Sequence, residues 1–331
     1  MDPREPPRLS IVVPAFNELP RIARCLDALA AQMRPDVELI VADDGSTDGT
    51  AAFAESRDPR PRVLRLPHRG GAAARASALR EVRATRVAFL DADCVPCPGW
   101  MEAALGRGPD DEGVVMGRVV PEPRFLSRLL VLLEFGEFVS SAGRALENFA
   151  FLNAAGPTSL FRRFPLPDVP EGADRLLSWR MTRSGVVIRF DPAQAVVHAP
   201  RLDRASLAAR HVAYARRFVA VRRLDPSLPG GWLARLGPPA SIPLALFRLA
   251  LDLGRLTQAR SALGIPAPLW PAHALGIACA RLADVALLAW FLGTRSPRRD
   301  PGAAPTGRGR ADQRTEKSRS GRTTPTRKPR P

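Results

Sequence analysis

Lysine is almost missing from this chain: of its 49 basic residues only Lys317 and Lys328 are lysines, a bias better explained by a GC-rich genome than by a binding task. Cysteine is scarce as well. Cys25, Cys94, Cys97 and Cys279 are too few and too scattered for a disulfide framework, which excludes the small stapled scaffolds of secreted proteins. Cys94 and Cys97 form a CxxC, but no second CxxC or nearby His pair completes a zinc site, and Pro96 and Pro98 make an awkward start for a redox helix. The pair therefore reads as reduced, incidental thiols in a loop. The first residues, "MDPREPPRLSIVVPAF", hold no charged-then-apolar leader and run straight into a short strand, so a cytosolic catalytic body is expected.

The 331 residues are 45% apolar, ample for a sizeable core. Apolar residues nearly vanish from Arg295 onward. That stretch holds twelve Lys/Arg against three Asp/Glu, so +9 of the formal +16 sits there, and a disordered basic tail is expected over 295–331. Such a tail suits nucleic acid or anionic lipid, and it has no aromatic residue to stack on bases.

Short aliphatic runs at 9–13, 37–42, 62–66 and 86–90 each end in a polar or turn-forming cluster, and 19–33, 48–56 and 71–84 between them have helical spacing. In the first helix Leu19, Ile22, Ala23, Leu26, Leu29 and Ala30 make one apolar stripe. Strands alternating with helices in this way imply βαβ units and a mostly parallel sheet flanked by helices, with the ligand beyond the carboxyl ends of the strands. Those ends carry "PAFNE" (14–18), "DDGSTDGT" (43–50), "HRGGAAAR" (68–75) and "DAD" (91–93). In an extended chain Asp91 and Asp93 project to one side, roughly 6–7 Å apart, and two like charges so placed call for a cation between them. A hard divalent ion carrying substrate phosphates would suit them; a solvated strand end is the plain alternative. Residues 46–49 read as a turn and helix start, with Asp48 or Thr47 as N-cap.

Motif by motif and in order, "SIVVPAFNE", "VELIVADDGSTDGT", "HRGGAAARASALREV" and "RVAFLDADCVPCPGWME" resemble the nucleotide-binding half of a family 2 glycosyltransferase with the GT-A, Rossmann-like fold. The resemblance is dense over 9–105 and thinner to about 201. It implies a sugar-nucleotide donor, with a UDP-sugar favoured. Pro14, Ala15 and Glu18 would line the base and ribose pocket, and Asp44 would accept from the base edge with Asp43 beside it. Gly71 would let the backbone approach the nucleotide and Arg75 would fix it, Asp91 would face ribose or metal, and Asp93 would bind Mg²⁺ or Mn²⁺ on the diphosphate.

An acceptor half is expected over 106–201, completing a domain of 1–201. "GVVMGRVV" (113–120) reads as a strand and 125–141 as a helix with an apolar face. "ADRLLSWRMTRSG" is similar to the family's acidic motif, with Asp174, Leu177, Arg180 and Gly185 in register, although Ala173 stands where the family commonly has Glu. By that likeness Asp174 would be the general base taking the proton of an acceptor hydroxyl, giving inversion in a single displacement; Glu171 is the reserve. Asp174 alone reads equally as a helix cap. His198 after a short strand is either structural or, by the likeness, part of the metal or diphosphate site. No QxxRW signature of processive synthases occurs, so transfer of a single sugar is expected.

A helical region follows over 202–294. A basic helix at 205–223 precedes apolar stretches at 240–256 and 273–293. The second is long enough to cross a bilayer, yet Arg281 and Asp284 at mid-depth would cost about 5–7 kcal/mol on an insertion scale. An interfacial or re-entrant hairpin with that pair neutralising itself is the alternative. The expected location is the cytoplasmic face of a cell membrane, peripheral or monotopic, in cell-envelope glycan synthesis, with the cytoplasm as the second choice. Two other functions stand against glycosyl transfer. A nucleotidyltransferase of sugar-nucleotide synthesis would want a Gly-rich basic first loop, unlike "PAFNELPR", and a nucleic-acid or anionic-surface binder rests on the tail alone.

Overall fold

The computed structural model describes residues 6–58, 61–106, 112–139, 145–169, 172–232 and 236–293. Strands β1 (Leu9–Ala15), β2 (Val37–Asp43), β3 (Arg62–Arg65) and β4 (Arg86–Leu90) form where the aliphatic runs stand, and they pair in parallel in the order β3-β2-β1-β4. Helices α1 (Leu19–Ala30), α2 (Thr50–Glu55) and α3 (Gly71–Glu81) make the crossovers. α1 buries Ile22, Cys25, Leu26 and Leu29, the face its apolar spacing predicts. Each such side chain contributes about 1.5–3 kcal/mol on burial. β1 and β2 are fully in register from Leu9↔Val37 to Ala15↔Asp43, so their polar exits leave the sheet side by side.

Beyond β4 the sheet turns mixed. β8 (Asn153–Pro157) runs antiparallel to β4, followed by β6 (Val114–Pro121), β9 (Ile188–His198) and β5 (Cys94–Pro96), with β7 (Ala145–Leu146) also on β9. The CxxC is thus no loop: Cys94 is buried in β5, Cys97 N–H donates to the Ala195 carbonyl at 2.9 Å, and all four thiols are free. Helix α4 (Trp100–Leu105) follows β5, and α5 (Phe125–Phe135), α6 (Thr158–Arg163) and α7 (Ala173–Arg183) pack around the mixed half. Phe89 meets Phe151 and Phe161 edge to face at 4.9 and 5.0 Å in the core.

A buried polar knot fixes the register of the mixed half. Asn153 accepts from Trp100 Nε1 at 2.8 Å and donates from Nδ2 to the Gln194 carbonyl at 2.7 Å, while Gln194 Nε2 donates to the Asn153 carbonyl at 3.1 Å. This fits only because the β6–β9 register shifts between Gly117 and Arg118, where β9 bulges from Asp191 to Ala195 opposite them. A Cβ on Gly117 would lie 2.0 Å from the Gln194 carbonyl oxygen and 2.2 Å from Asn153 Nδ2. Gly117→Ala is therefore expected to destabilise the fold by about 1–3 kcal/mol or more, read as a lowered midpoint in urea with an unchanged slope.

The C-terminal helices are α8 (Arg204–Leu224), α9 (Ser241–Ala259) and α10 (Trp270–Gly293); Leu256, Ala259, Leu263, Ile265 and Ile277 belong to the same buried cluster as the strand residues, and Ala215 and Val219 of α8 pack with Leu244, Leu288 and Leu292 in a second one. Asp252 and Asp284 are buried and hold Arg281 between them, at 2.6 and 2.7 Å, and Arg248 pairs with Asp284 at 2.7 Å. His211 Nε2 lies 3.1 Å from Asp284. The charges within the apolar helices thus face the protein, while Leu246, Leu251, Leu275 and Leu282 face out. Residues 295–331, where the basic tail is expected, and Glu171 lie outside the described residues.

Candidate active site

Every loop at the carboxyl edge of β1, β2, β3 and β4 is tied to its neighbour. Asn17, at φ 54°, takes the Thr47 N–H on its Oδ1 at 2.8 Å and gives its own N–H to Ser46 Oγ at 2.9 Å. Asp48 accepts from Leu19 N–H at 3.1 Å and Thr50 N–H at 3.0 Å, and Glu18 N–H donates to Thr50 Oγ1 at 3.0 Å. Residues 46–50 thus hold the first two loops together, the structural role their sequence predicts, although Gly49 rather than Asp48 or Thr47 occupies the cap position of α2.

The two adjacent aspartates differ in what they have left to offer. Asp44 is buried and spends both oxygens on the third loop, taking Arg69 N–H at 2.9 Å, Gly70 N–H at 2.8 Å and His68 Nδ1 at 2.8 Å. Asp43 takes Ser46 N–H at 3.2 Å on Oδ2, while its Oδ1 is buried without a partner among the described residues. An orphaned buried carboxylate oxygen is costly and marks a place for a ligand donor. Of the two aspartates expected at the base edge, Asp43 is thus the one with an oxygen left over. Pro14 and Ala15 are buried within β1, and the Ala15 carbonyl already accepts from Asp44 N–H at 2.8 Å, so they contribute the floor of the edge rather than side-chain contacts. Phe16 stacks on His68 at 4.0 Å beside them.

Asp91 and Asp93 leave β4 together and then part. Asp91 accepts from the Arg75 guanidinium, which also lies 5.2 Å over the Phe151 ring. Gly71 opens α3 close against it, since a Cβ there would stand 3.1 Å from Arg75 Nη1. Asp93 faces His198 Nε2 at 3.4 Å and Arg210 Nη2 at 3.3 Å. The β5–β9 pairing sets Cys94 opposite His198, which is how a histidine a hundred residues away reaches the second aspartate. Burial alone would raise the Asp93 pKa, but His198, Arg210 and Arg21 outweigh it and hold the carboxyl far below the usual carboxylate range. Glu18 binds Arg21 and, by burial, sits above its ordinary pKa despite that cation. Among the described residues no three His, Cys, Asp or Glu side chains gather as a ready-made metal cage. Asp93 with His198 is an incomplete set of one hard carboxylate and one borderline imidazole donor, which fits a Mn²⁺ or, less closely, a Mg²⁺ ion whose remaining ligands are phosphate oxygens.

Sequence reasoning missed Arg210, which also lies 3.6 Å from Glu134, and Arg201, which donates to the Asn17 carbonyl. No local pattern signals such contacts, because they span 117 and 184 residues. Beyond Glu134 and Phe135, which packs on His198 at 5.2 Å, opens a cavity of about 690 Å³. Asp174 stands on its wall in the first turn of α7, behind Gly172 at φ 77°, with Oδ1 taking the Arg175 N–H at 2.8 Å. Gly172, not Asp174, holds the cap position of α7, so Asp174 is a first-turn acid that faces the cavity. Glu137, another residue missed, shares the wall; burial raises its carboxyl above the ordinary value, and Asn148 Nδ2 donates to it at 2.8 Å.

The comparison with known families rests on the same edge. Residues 10–169 match the model of Glycosyl transferase family 2. The chain belongs to that family. Among curated relatives of this family 2 glycosyltransferase, the pre-mycofactocin glycosyltransferase of Mycobacterium tuberculosis is 28% identical over 76% of this chain and 54% of its own length. Glycosyltransferase AglE of Haloferax volcanii is 33% identical over 31% of this chain and 38% of its own. The matches therefore span about half or less of these relatives. Among solved structures, the mannosyltransferase PcManGT of Pyrobaculum calidifontis superposes with a TM-score of 0.56 at 22% identity, covering 88% of this chain and 89% of that one. Glucosyl-3-phosphoglycerate synthase of Mycobacterium tuberculosis gives 0.50 at 23% identity, covering 65% and 79%. The fold is GT-A-like, a mostly parallel mixed sheet flanked by helices.

Proposed function

We propose that this family 2 glycosyltransferase moves a single sugar, with inversion, from a nucleotide-diphosphate sugar to a hydroxyl acceptor at a membrane surface. The observation that carries this reading is the edge itself: the unpartnered Oδ1 of Asp43 stands on the same strand ends as the Asp93–His198 pair. One end takes a base N–H and the other takes a diphosphate. Asp43 accepts from the base, with Phe16 and His68 as a flat surface beside it and Asp44 holding the loop that shapes the pocket. Arg75 keeps Asp91 fixed toward the ribose, and Arg210 stands ready to meet phosphate oxygens. Asp93 with His198 would hold Mg²⁺ or Mn²⁺, which offsets the charge growing on the leaving diphosphate. Asp174 takes the proton of the attacking hydroxyl. The structural neighbour from Pyrobaculum is described with GDP-mannose and Mn²⁺, which supports a nucleotide sugar with a divalent cation and makes GDP as well as UDP a base to test.

The test separates the two aspartates. Asp43→Ala should weaken nucleoside diphosphate binding by about tenfold or more, the effect of losing one well-placed hydrogen bond to a buried charged group. Asp44→Asn should disturb the loop and lower thermal stability. Equal donor affinity for Asp43→Ala and the wild type would overturn the base assignment.

The membrane reading rests on α9 and α10, whose polarity is inverted. Arg248, Asp252, Arg281 and Asp284 are buried, while Ile242, Leu246, Phe247, Leu275, Leu282 and Trp290 are exposed. The stretch Ala267–Gly293 is long and apolar enough to cross a bilayer by length and composition, with a mean hydropathy of 1.8 in its most apolar 18 residues. Because its charges are paired toward the protein, the hairpin can lie in the interface without carrying them into hydrocarbon. A continuous apolar face of this kind is out of place in water and at home in lipid. This supports a monotopic enzyme on an anionic cytoplasmic leaflet, and vesicle co-sedimentation tests it. The nucleic-acid alternative has only residues 295–331 to support it, and the nucleotidyl-transfer alternative still lacks its Gly-rich basic loop at 14–21.

A further inference from the structure

We infer that the acceptor is an amphiphile, a hydroxyl-bearing head on a long apolar chain, and that the chain leaves the active site through the 690 Å³ cavity toward the exposed face of α9. The inference deepens the glycosyl-transfer reading and rests on its placement of Asp174.

The cavity has two chemically different ends. Its inner wall holds Asp174, Glu137 and Arg175, and it borders the Asp93 site through Glu134, the ion-pair partner of Arg210. Its outer wall is made of Trp232, Phe247 and Leu251, which are 63%, 62% and 43% exposed. Phe247 and Leu251 lie on the same helix as the outward Ile242 and Leu246, so the mouth is continuous with the face that the polarity of α9 and α10 assigns to lipid. Between the ends the lining includes Phe138, Phe149, Phe218 and Leu244.

The cations in this wall do not make it a polar channel. Arg248 is paired with Asp284 and lies 4.4 Å over the Tyr214 ring, and Arg222 donates to the Pro229 and Phe218 carbonyls while stacking on Phe218 at 3.5 Å. Arg255 and Arg281 pair with Asp252 at 3.4 and 2.6 Å, and Arg217 lies 4.8 Å over the Tyr214 ring, so along this wall these side chains offer apolar stems and flat faces. A free sugar or other wholly polar acceptor would leave its hydroxyls facing Phe138, Phe149 and Leu244 without partners, at about 1–3 kcal/mol each. An apolar chain removes that cost. The volume is within the range of ordinary ligand pockets. The reacting hydroxyl then rests at the Asp174 end and the chain runs outward past Phe247 into the bilayer, so a membrane-borne acceptor reaches the donor without leaving the membrane.

The experiment uses the full chain on vesicles and a long-chain primary alcohol with a diazirine close to its hydroxyl. Photolysis should place the label on Phe138 and Phe149, which are 2% and 1% exposed and beyond the reach of a bilayer outside the cavity. Unlabelled alcohol of the same length should compete, and glycerol should not. Leu251→Trp, which narrows the mouth, should lower that labelling about tenfold and leave labelling of Leu275 and Leu282 unchanged. Label confined to outward residues, or competition by glycerol, would overturn the inference whether or not the variant folds. Donor binding measured in parallel separates the two failures: lost donor binding with intact cavity labelling counts against glycosyl transfer, and the reverse counts against the amphiphile alone.

Discussion

Asp174→Asn should lower kcat by at least about 10²-fold while donor affinity barely moves, because a general base acts only on the chemical step. The substitution is well chosen for this position. Asn keeps an oxygen for the Arg175 N–H that Asp174 now accepts at 2.8 Å, so this first-turn hydrogen bond survives and only the proton acceptor is lost. A fall in kcat at unchanged thermal stability therefore identifies a base. A fall in stability of about 1 kcal/mol with modest kinetic effect identifies a structural first-turn acid. Glu137→Gln is expected to be mild, since its carboxyl is engaged by Asn148 and lies 3.9 Å from Arg255. Glu171→Gln should also be mild; if it instead exceeds Asp174→Asn, the base is Glu171.

Asp93→Asn should abolish turnover and weaken donor diphosphate binding, and excess EDTA should do the same to the wild type. The carboxyl of Asp93 is held ionised by His198, Arg210 and Arg21 against the effect of its burial, so it is charged at any working pH. Because its folded pKa is depressed, its pairing contributes stability above the ordinary carboxylate pKa of about 3.9 and loses that contribution as pH falls. The Asn variant should lack this acid-side loss. Removing one partner from a buried ion group costs about 3–5 kcal/mol, so the variant's fold is to be checked by circular dichroism before its kinetics are read. Full activity of the wild type in excess EDTA would remove the metal from the account.

The donor half was legible because its signals are local. β1 to β4 are aliphatic runs closed by turn clusters, and α1 shows its buried face in the spacing of Ile22, Leu26 and Leu29. The mixed half was not. "NAAGP" (153–157) has the composition of a turn, yet it is a strand because β4 and β6 enclose it and Gly156 admits the Gly113 carbonyl to within 3.1 Å of where a Cβ would be. Cys94–Pro96 is a strand only through β9. Asp91 and Asp93 were found by spacing, but their division, one to Arg75 and one to His198 and Arg210, depends on residues far along the chain. The same limit hides which of Asp43 and Asp44 keeps an unpartnered oxygen, since which carboxylate is occupied depends on where Arg69 and Gly70 fold back. In α9 and α10 the apolar composition was plain. The direction in which Arg281 and Asp284 point was decided by Asp252, Arg248 and His211 on other helices.

The most direct test is calorimetric titration of the full chain with UDP-glucose and GDP-mannose, each with and without Mn²⁺. Saturable binding of a nucleotide sugar that Mn²⁺ strengthens, and that Asp43→Ala weakens, is the predicted result. Absence of binding by either nucleotide sugar in either condition, from a chain shown to be folded, would contradict it.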